Sequence, residues 1–183
     1  MKIIIALGNP GKEYENTRHN AGFLAGDFLQ TTFTFEPFQE NKKMFSLISE
    51  GKIGNEKVFI AKPTTFMNES GKTALALMQF YKLSPQDILL LHDELDIAPG
   101  AYKVATSSRA AGHNGVQDIF DTLGTQDITR IRLGIGHPTE VLGVCIPHHD
   151  YVLQKFSKEE SEKLTSLFPQ VQKEVEQWIL NTT

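Results

Sequence analysis

Four residues of this 183-residue chain combine side chains that can move a proton and hold a developing negative charge: His19 in "TRHNAG", Asn68 in "TTFMNESG", Asp93 in "HDELD" and Asn114 in "AGHNG". A histidine oriented by a carboxylate is a general base able to take a proton from water, and amide side chains can bind an acyl carbonyl as charge builds on its oxygen. No serine or cysteine stands in a nucleophile motif, so direct attack by water is expected rather than a covalent intermediate. The chemistry this set points to is ester hydrolysis.

Singly, each residue also has an ordinary structural reading. A lone histidine is more often packed or solvated than catalytic. Asn20, Asn68 and Asn114 stand where helices begin and read as caps, with Phe66 and Met67 packed inward. Glu94 and Asp96 read as solvated loop charges, and "PHHD", with His148, His149 and Asp150, as a solvent loop, because adjacent histidines rarely face one ion. The carboxylates supply no convincing ligand spacing for a divalent metal. The "GNPG" turn after "IIIAL" is either a ligand-approaching turn or a tight structural one. "SGKT" before "ILLLHDELD" imitates a nucleotide-binding pair of motifs, but the glycine a P-loop needs five residues before Gly71 is Phe66. What outweighs these readings is their combination: several loops, each following an apolar strand, deliver a base, a carboxylate and amides that can build one cleft.

The elements that must position these loops alternate in type, the pattern of an α/β domain. Strands are expected at 2–7, 44–49, 57–62, 87–92, 101–106 and 130–136, and helices at 20–33, 68–82 and 113–124. "SEGKIGNEK" joins two strands as a hairpin, which makes the sheet mixed. Ser157 and Glu160 have capping-box spacing for a C-terminal helix that Pro169 is expected to kink or split. No repeat, linker or composition shift appears, so residues 1–183 read as a single domain. With 40% hydrophobic and 22% charged residues, it needs no disulfide or metal staple. The one cysteine, Cys145, cannot pair internally, and Met1 leads straight into "KIIIALG", so a cytoplasmic location is expected. No apolar run approaches the roughly 20 residues of a membrane span. A net charge of −4 argues against wholesale wrapping around nucleic acid but allows a local basic patch.

The ordered series "LGNPGKEYENTRHNAG", "KPTTFMNESG", "HDELD", "AGHNG", "RIRLGIGHP" and "YVLQKF" resembles bacterial-type peptidyl-tRNA hydrolase over nearly the whole chain. That resemblance implies a monomeric, single-domain, three-layer α/β/α sandwich around a twisted mixed sheet. It also implies cleavage of the ester between a peptide and the 3′ end of tRNA, with contacts to the CCA end and acceptor stem and with no metal or organic cofactor. His19 is then the base that activates water and Asp93 the carboxylate that holds it. Asn9 discriminates blocked peptidyl from free aminoacyl substrates. Asn68 and Asn114 bind the peptide backbone and the reacting ester, Tyr14 and Phe66 line the 3′-end site, and Met67 and His113 shape the cleft. The chain departs from the family in "TSSRAAGHNG", where glycines are lost and Arg109 is gained, and at Ala105, which stands where the second phosphate-binding basic residue is expected. Arg132 is retained, and Lys103, two residues before Ala105, is the candidate substitute. The rival reading is a catalytically inactive RNA- or protein-binding module on the same fold.

Overall fold

The structure, a computed structural model, describes residues 1–180. Its centre is β1 (Lys2–Ala6), flanked in parallel by β4 (Glu56–Pro63) and β5 (Ile88–Glu94). Every residue of β1 and β5 is buried, which is why both read as apolar runs rather than alternating stretches. β7 (Thr129–Gly134) continues parallel to β5, while β3 (Ser46–Ile53) and β6 (Tyr102–Ala105) run antiparallel to β4 and β7. A seventh strand, β2 (Gln39–Asn41), completes the order β2-β3-β4-β1-β5-β7-β6.

Alternate residues of β1 enter two cores. Ile4 and Ala6 pack with α1 (Ala21–Thr32) and α6 (Lys158–Leu180), and Ile3 and Ile5 pack with α2 (Ser70–Tyr81) and α3 (Asn114–Leu123). The result is the expected three-layer α/β/α sandwich around a mixed sheet. β2 escaped the sequence reading because its three polar residues pair on one side only and bury no apolar face.

Of the kink or split expected at Pro169, the split does not occur: α6 runs unbroken from Lys158 to Leu180. A proline inside a helix costs about 3 kcal/mol. Six apolar side chains on both sides of it (Leu164, Leu167, Phe168, Val171, Val175 and Ile179) are buried against the sheet. At roughly 1.5–3 kcal/mol each, their burial outweighs the lost backbone bond.

Two glycines explain how closely the layers approach. A Cβ at Gly22 would stand 2.3 Å from the Leu91 carbonyl oxygen and 2.5 Å from that of Leu7, so only glycine lets α1 begin hard against the ends of β1 and β5. Gly71, the glycine of the misleading "SGKT", lies against α3: its N–H donates to the Asp118 carboxylate at 2.6 Å, and a Cβ would meet Thr122. It serves helix packing and not phosphate.

The turn that carries His19 is tied to the far end of the chain. Arg18 is buried and donates through Nε and Nη2 to the two Glu160 oxygens at 2.8 and 3.0 Å, and through Nη1 to the Tyr151 carbonyl at 3.1 Å. Its guanidinium also lies 4.1 Å from the centre of the Tyr151 ring. Glu160 forms the expected capping box as well, accepting from Ser157 N–H at 2.8 Å while its own N–H donates to Ser157 Oγ at 3.2 Å. Burial alone would raise the Glu160 pKa, but the bonds from Arg18 and Ser157 prevail and lower it. Removing one partner of a buried bidentate pair leaves an uncompensated charge. Glu160→Ala is therefore expected to cost about 3–5 kcal/mol in urea unfolding. A loss within about 1 kcal/mol would show that the pair behaves like an exposed one.

Candidate active site

The parallel strands β1, β4 and β5 end on one side of the sheet, where α/β folds place ligand sites. The loop after β1 brings Asn9, Tyr14 and His19, and the 3-10 turn Met67–Glu69 after β4 brings Asn68. β5 ends with Asp93 and Glu94, and the loop before α3 brings His113 and Asn114. One cleft is lined by Asn9, Tyr14, His19, Phe66, Met67, Asn68 and Asn114, and an adjoining one by His19, Asp93, His113 and Asn114.

Asp93 is the hub. His19 Nδ1 lies 3.0 Å from each of its carboxylate oxygens, and His113 Nε2 lies 2.8 Å from Oδ1. Burial would raise the Asp93 pKa, but the two imidazoles outweigh it and hold the carboxyl well below the usual carboxylate range. An ionised carboxylate only accepts, so both histidines donate to it.

This assigns the tautomers and separates the two histidines. His113 Nδ1 caps α3 by accepting the Val116 N–H at 3.3 Å, so both nitrogens of His113 are engaged. His19 has only Nδ1 engaged among the described residues, and its Nε2 is left to the cleft. Burial would lower the His19 pKa, but the charge and hydrogen bond of Asp93 overcome this and raise it above the ordinary 6.5.

The remaining amides sort by whether the protein uses them. Asn20 is not the side-chain cap expected for α1: its Oδ1 accepts the Asn9 N–H at 2.8 Å and its Nδ2 donates to the Asn9 carbonyl at 3.0 Å. Asn9 Oδ1 accepts the Met67 N–H at 2.8 Å, which turns its NH2 group toward the cleft. Asn68 makes no side-chain cap for its turn, and at α3 the cap is His113, so the amides of Asn68 and Asn114 stay available in the cleft. Tyr14 and Phe66 meet edge to face with ring centres 6.2 Å apart, and Phe66 is 53% exposed.

Two further expectations are corrected. Glu94 is not a solvated loop charge but only 3% exposed, because β5 extends through it; it accepts from Arg132 Nε at 2.9 Å and from the Asp96 N–H at 3.1 Å. "PHHD" is exposed to solvent as expected but is not a loop: His148–Val152 form the short helix α5, whose His149 lines both clefts. Apolar Tyr151 and Val152, buried two and three residues on, were the signal available in the sequence. Arg132 and Lys103 are direct cross-strand partners, whereas Ala105 stands opposite Arg130. Lys103 and Arg109 are exposed.

His19, Asp93 and His113 are also the one group among the described residues whose ligand atoms, all within 4.8 Å of one another, could hold a metal ion. Both imidazoles already fill that space with N–H bonds to the carboxylate, so an ion would have to displace two protons.

A family profile described as peptidyl-tRNA hydrolase matches residues 3–183. A peptidyl-tRNA hydrolase of Zymomonas mobilis is 43% identical over 182 residues, covering 99% of this chain and 92% of its own length. One from Neisseria meningitidis is 46% identical over 167 residues, covering 90% of this chain and 83% of its own. The crystal structure of peptidyl-tRNA hydrolase from Acinetobacter baumannii superposes with a TM-score of 0.89 at 32% identity, covering all of this chain and 90% of that one. On these matches, this chain belongs to the peptidyl-tRNA hydrolase family.

Proposed function

We propose that His19 is the general base of peptidyl-tRNA hydrolysis in this protein, held by Asp93 and served by the amides of Asn9, Asn68 and Asn114. The chain is an enzyme that hydrolyses the ester between peptide and tRNA, as its family does. The observation that carries the assignment is the asymmetry of the two histidines on Asp93: His19 alone keeps a nitrogen for a water proton. His19 Nε2 takes a proton from water as the oxygen attacks the ester carbonyl. Asn114, at the positive end of α3, supports the oxyanion. Collapse expels the ribose oxygen of the tRNA end, which recovers the proton from the His19 imidazolium.

Asn9 supplies the discrimination. Its orientation is locked by Asn20 and Met67, so it presents hydrogen-bond donors. An acyl carbonyl on a blocked amino group accepts such a bond, whereas a free ammonium is itself a donor and finds no partner. Asn68 binds the peptide backbone, Met67 and His113 shape the walls, and the Tyr14–Phe66 pair offers faces on which the terminal bases stack. Lys103 is the leading phosphate contact on the acceptor-stem side, with Arg132 beside it and Arg109 in the neighbouring loop. Arg132 contributes less because Glu94 neutralises it at 2.8 Å. The protein acts as a monomer and a single domain over residues 1–183, in the cytoplasm where dropped peptidyl-tRNA arises. No helix among the described residues is long and apolar enough to cross a membrane.

Purified protein is expected to release peptide from N-blocked aminoacyl-tRNA and to spare the unblocked form. Equal cleavage would remove the role of Asn9, and absence of cleavage would favour the binding-only module. His19→Ala should lower kcat by about 10²–10⁴ while binding persists. Because the base must be neutral and its pKa is raised, kcat/KM should climb with pH through a midpoint above 6.5; a midpoint below that value would contradict the Asp93 pairing. Lys103→Ala should lower the slope of log affinity against log salt by about one, and Arg132→Ala by less. An unchanged slope for Lys103→Ala would take it out of the phosphate site.

A further inference from the structure

Arg130 lies in β7, is fully buried, and forms no ion pair among the described residues. Burial first, and the neighbouring Arg132 second, lower its pKa to about 10, so it stays charged at neutral pH. A buried cation without a carboxylate needs other compensation. Here Nη2 donates to the carbonyls of Ser108 and Arg109, each at 2.9 Å, and to Ser108 Oγ, while Nη1 donates to His92 Nε2 at 3.3 Å. The guanidinium carbon lies 5.3 Å from the centre of the Phe120 ring, and Nε has no partner. A side chain present only to fill the core would not leave a buried N–H unpaired while bonding to a loop and a histidine.

Both destinations bear on the reacting groups. Ser108 and Arg109 belong to the glycine-poor loop that delivers His113 and Asn114. In that loop Ser107 (φ 55) and Ala111 (φ 52) occupy the left-handed region that non-glycine residues rarely enter, followed by Gly112 (φ 81). Such a loop needs external bonds to hold its shape. His92 is fully buried, donates from Nδ1 to the Asp93 carbonyl at 2.7 Å, and meets the His113 ring edge-on with centres 4.7 Å apart.

We propose that Arg130 is a positioning residue for the hydrolysis: its guanidinium fastens the loop at Ser108 and Arg109 and, through His92, fixes the backbone of Asp93 and the ring of His113. The proposal rests on the assignment of His19 and Asp93 as base and orienting carboxylate. Titratable groups lining the clefts with His19 are Tyr14 from the loop after β1, Asp93 and Glu94 from β5, His113 from the loop before α3, and His148 and His149 from α5. Arg130 reaches Asp93 and His113 through His92 and the loop. With the loop released, His113 withdraws from Asp93 Oδ1, the carboxylate charge concentrates on His19, and the imidazolium form is favoured.

The test measures kcat, KM and the pH dependence of kcat/KM on N-blocked aminoacyl-tRNA for Arg130→Met, Arg130→Lys and His92→Phe, with melting curves alongside. Arg130→Met should lower kcat by about 10²-fold with KM little changed, and move the acid limb to higher pH. Arg130→Lys should not rescue it, because an ammonium cannot reproduce the planar fork. His92→Phe should shift the limb in the same direction, and it carries the test if Arg130→Met fails to fold. A limb unmoved in Arg130→Met and in His92→Phe, with activity lost only in proportion to folded protein, would overturn the proposal. Failure of the base assignment is distinguishable, since the unsubstituted enzyme would then show no acid limb and His19→Ala would stay active.

Discussion

A carboxylate stays ionised in a buried place only if donors meet it, and at Asp93 two imidazoles do so at 2.8 and 3.0 Å. Each donor also fulfils a second condition. His113 caps α3 through its other nitrogen, so the helix that presents Asn114 begins where the carboxylate requires it. His19 leaves its other nitrogen to the cleft, which is the property a water-activating base must have. One buried charge thus sets the tautomers, the start of a helix and the proposed division of labour between two histidines.

Around that charge, side chains near the cleft hold the loops in place. Arg18 ties the His19 turn to Glu160 and Tyr151, Asn20 clasps both backbone groups of Asn9, and Arg130 holds the loop carbonyls of Ser108 and Arg109. Loops that do chemistry must be polar and accessible, so they cannot be fixed by apolar burial. Here buried hydrogen bonds from residues adjacent to the loops, or across the sheet from them, do the fixing. The arrangement answers why His19 stands between an arginine and an asparagine: its neighbours hold the turn so that the histidine alone faces the cleft.

The loop in "TSSRAAGHNG", with one glycine before His113, fits this picture. Ser107 and Ala111 adopt backbone conformations that glycine would take without strain, and Ser108 supplies both a carbonyl and a hydroxyl to Arg130. The loop is pinned by a buried cation where a glycine-rich loop would be free. In the β6–β7 strand pair, Ala105 lies opposite Arg130 and Lys103 opposite Arg132.

By itself the sequence determined the layer architecture, because buried parallel strands read as unbroken apolar runs and helices show their own period. Motif chemistry also pointed to His19, Asn68, Asp93 and Asn114, and the family resemblance added Asn9; the ends of the parallel strands β1, β4 and β5 share one edge, whereas the loop bearing Asn114 follows the antiparallel β6 and returns to that edge only in the fold. Tertiary structure alone decided what depends on partners distant in the chain. The polar strand Gln39–Asn41 exists through pairing with β3, and α6 survives Pro169 through packing on the sheet. Glu94 is buried because β5 extends through it, where Arg132 meets its charge, and His149 reaches the cleft because Tyr151 and Val152 anchor α5. Asn20 bonds Asn9 instead of capping a helix, and Arg130, a strand residue to which the sequence assigned no role, meets His92 and Ser108. Local propensity is written in neighbouring residues, whereas the partner of a buried polar group is written in the fold, and that partner decides which groups are left free to react.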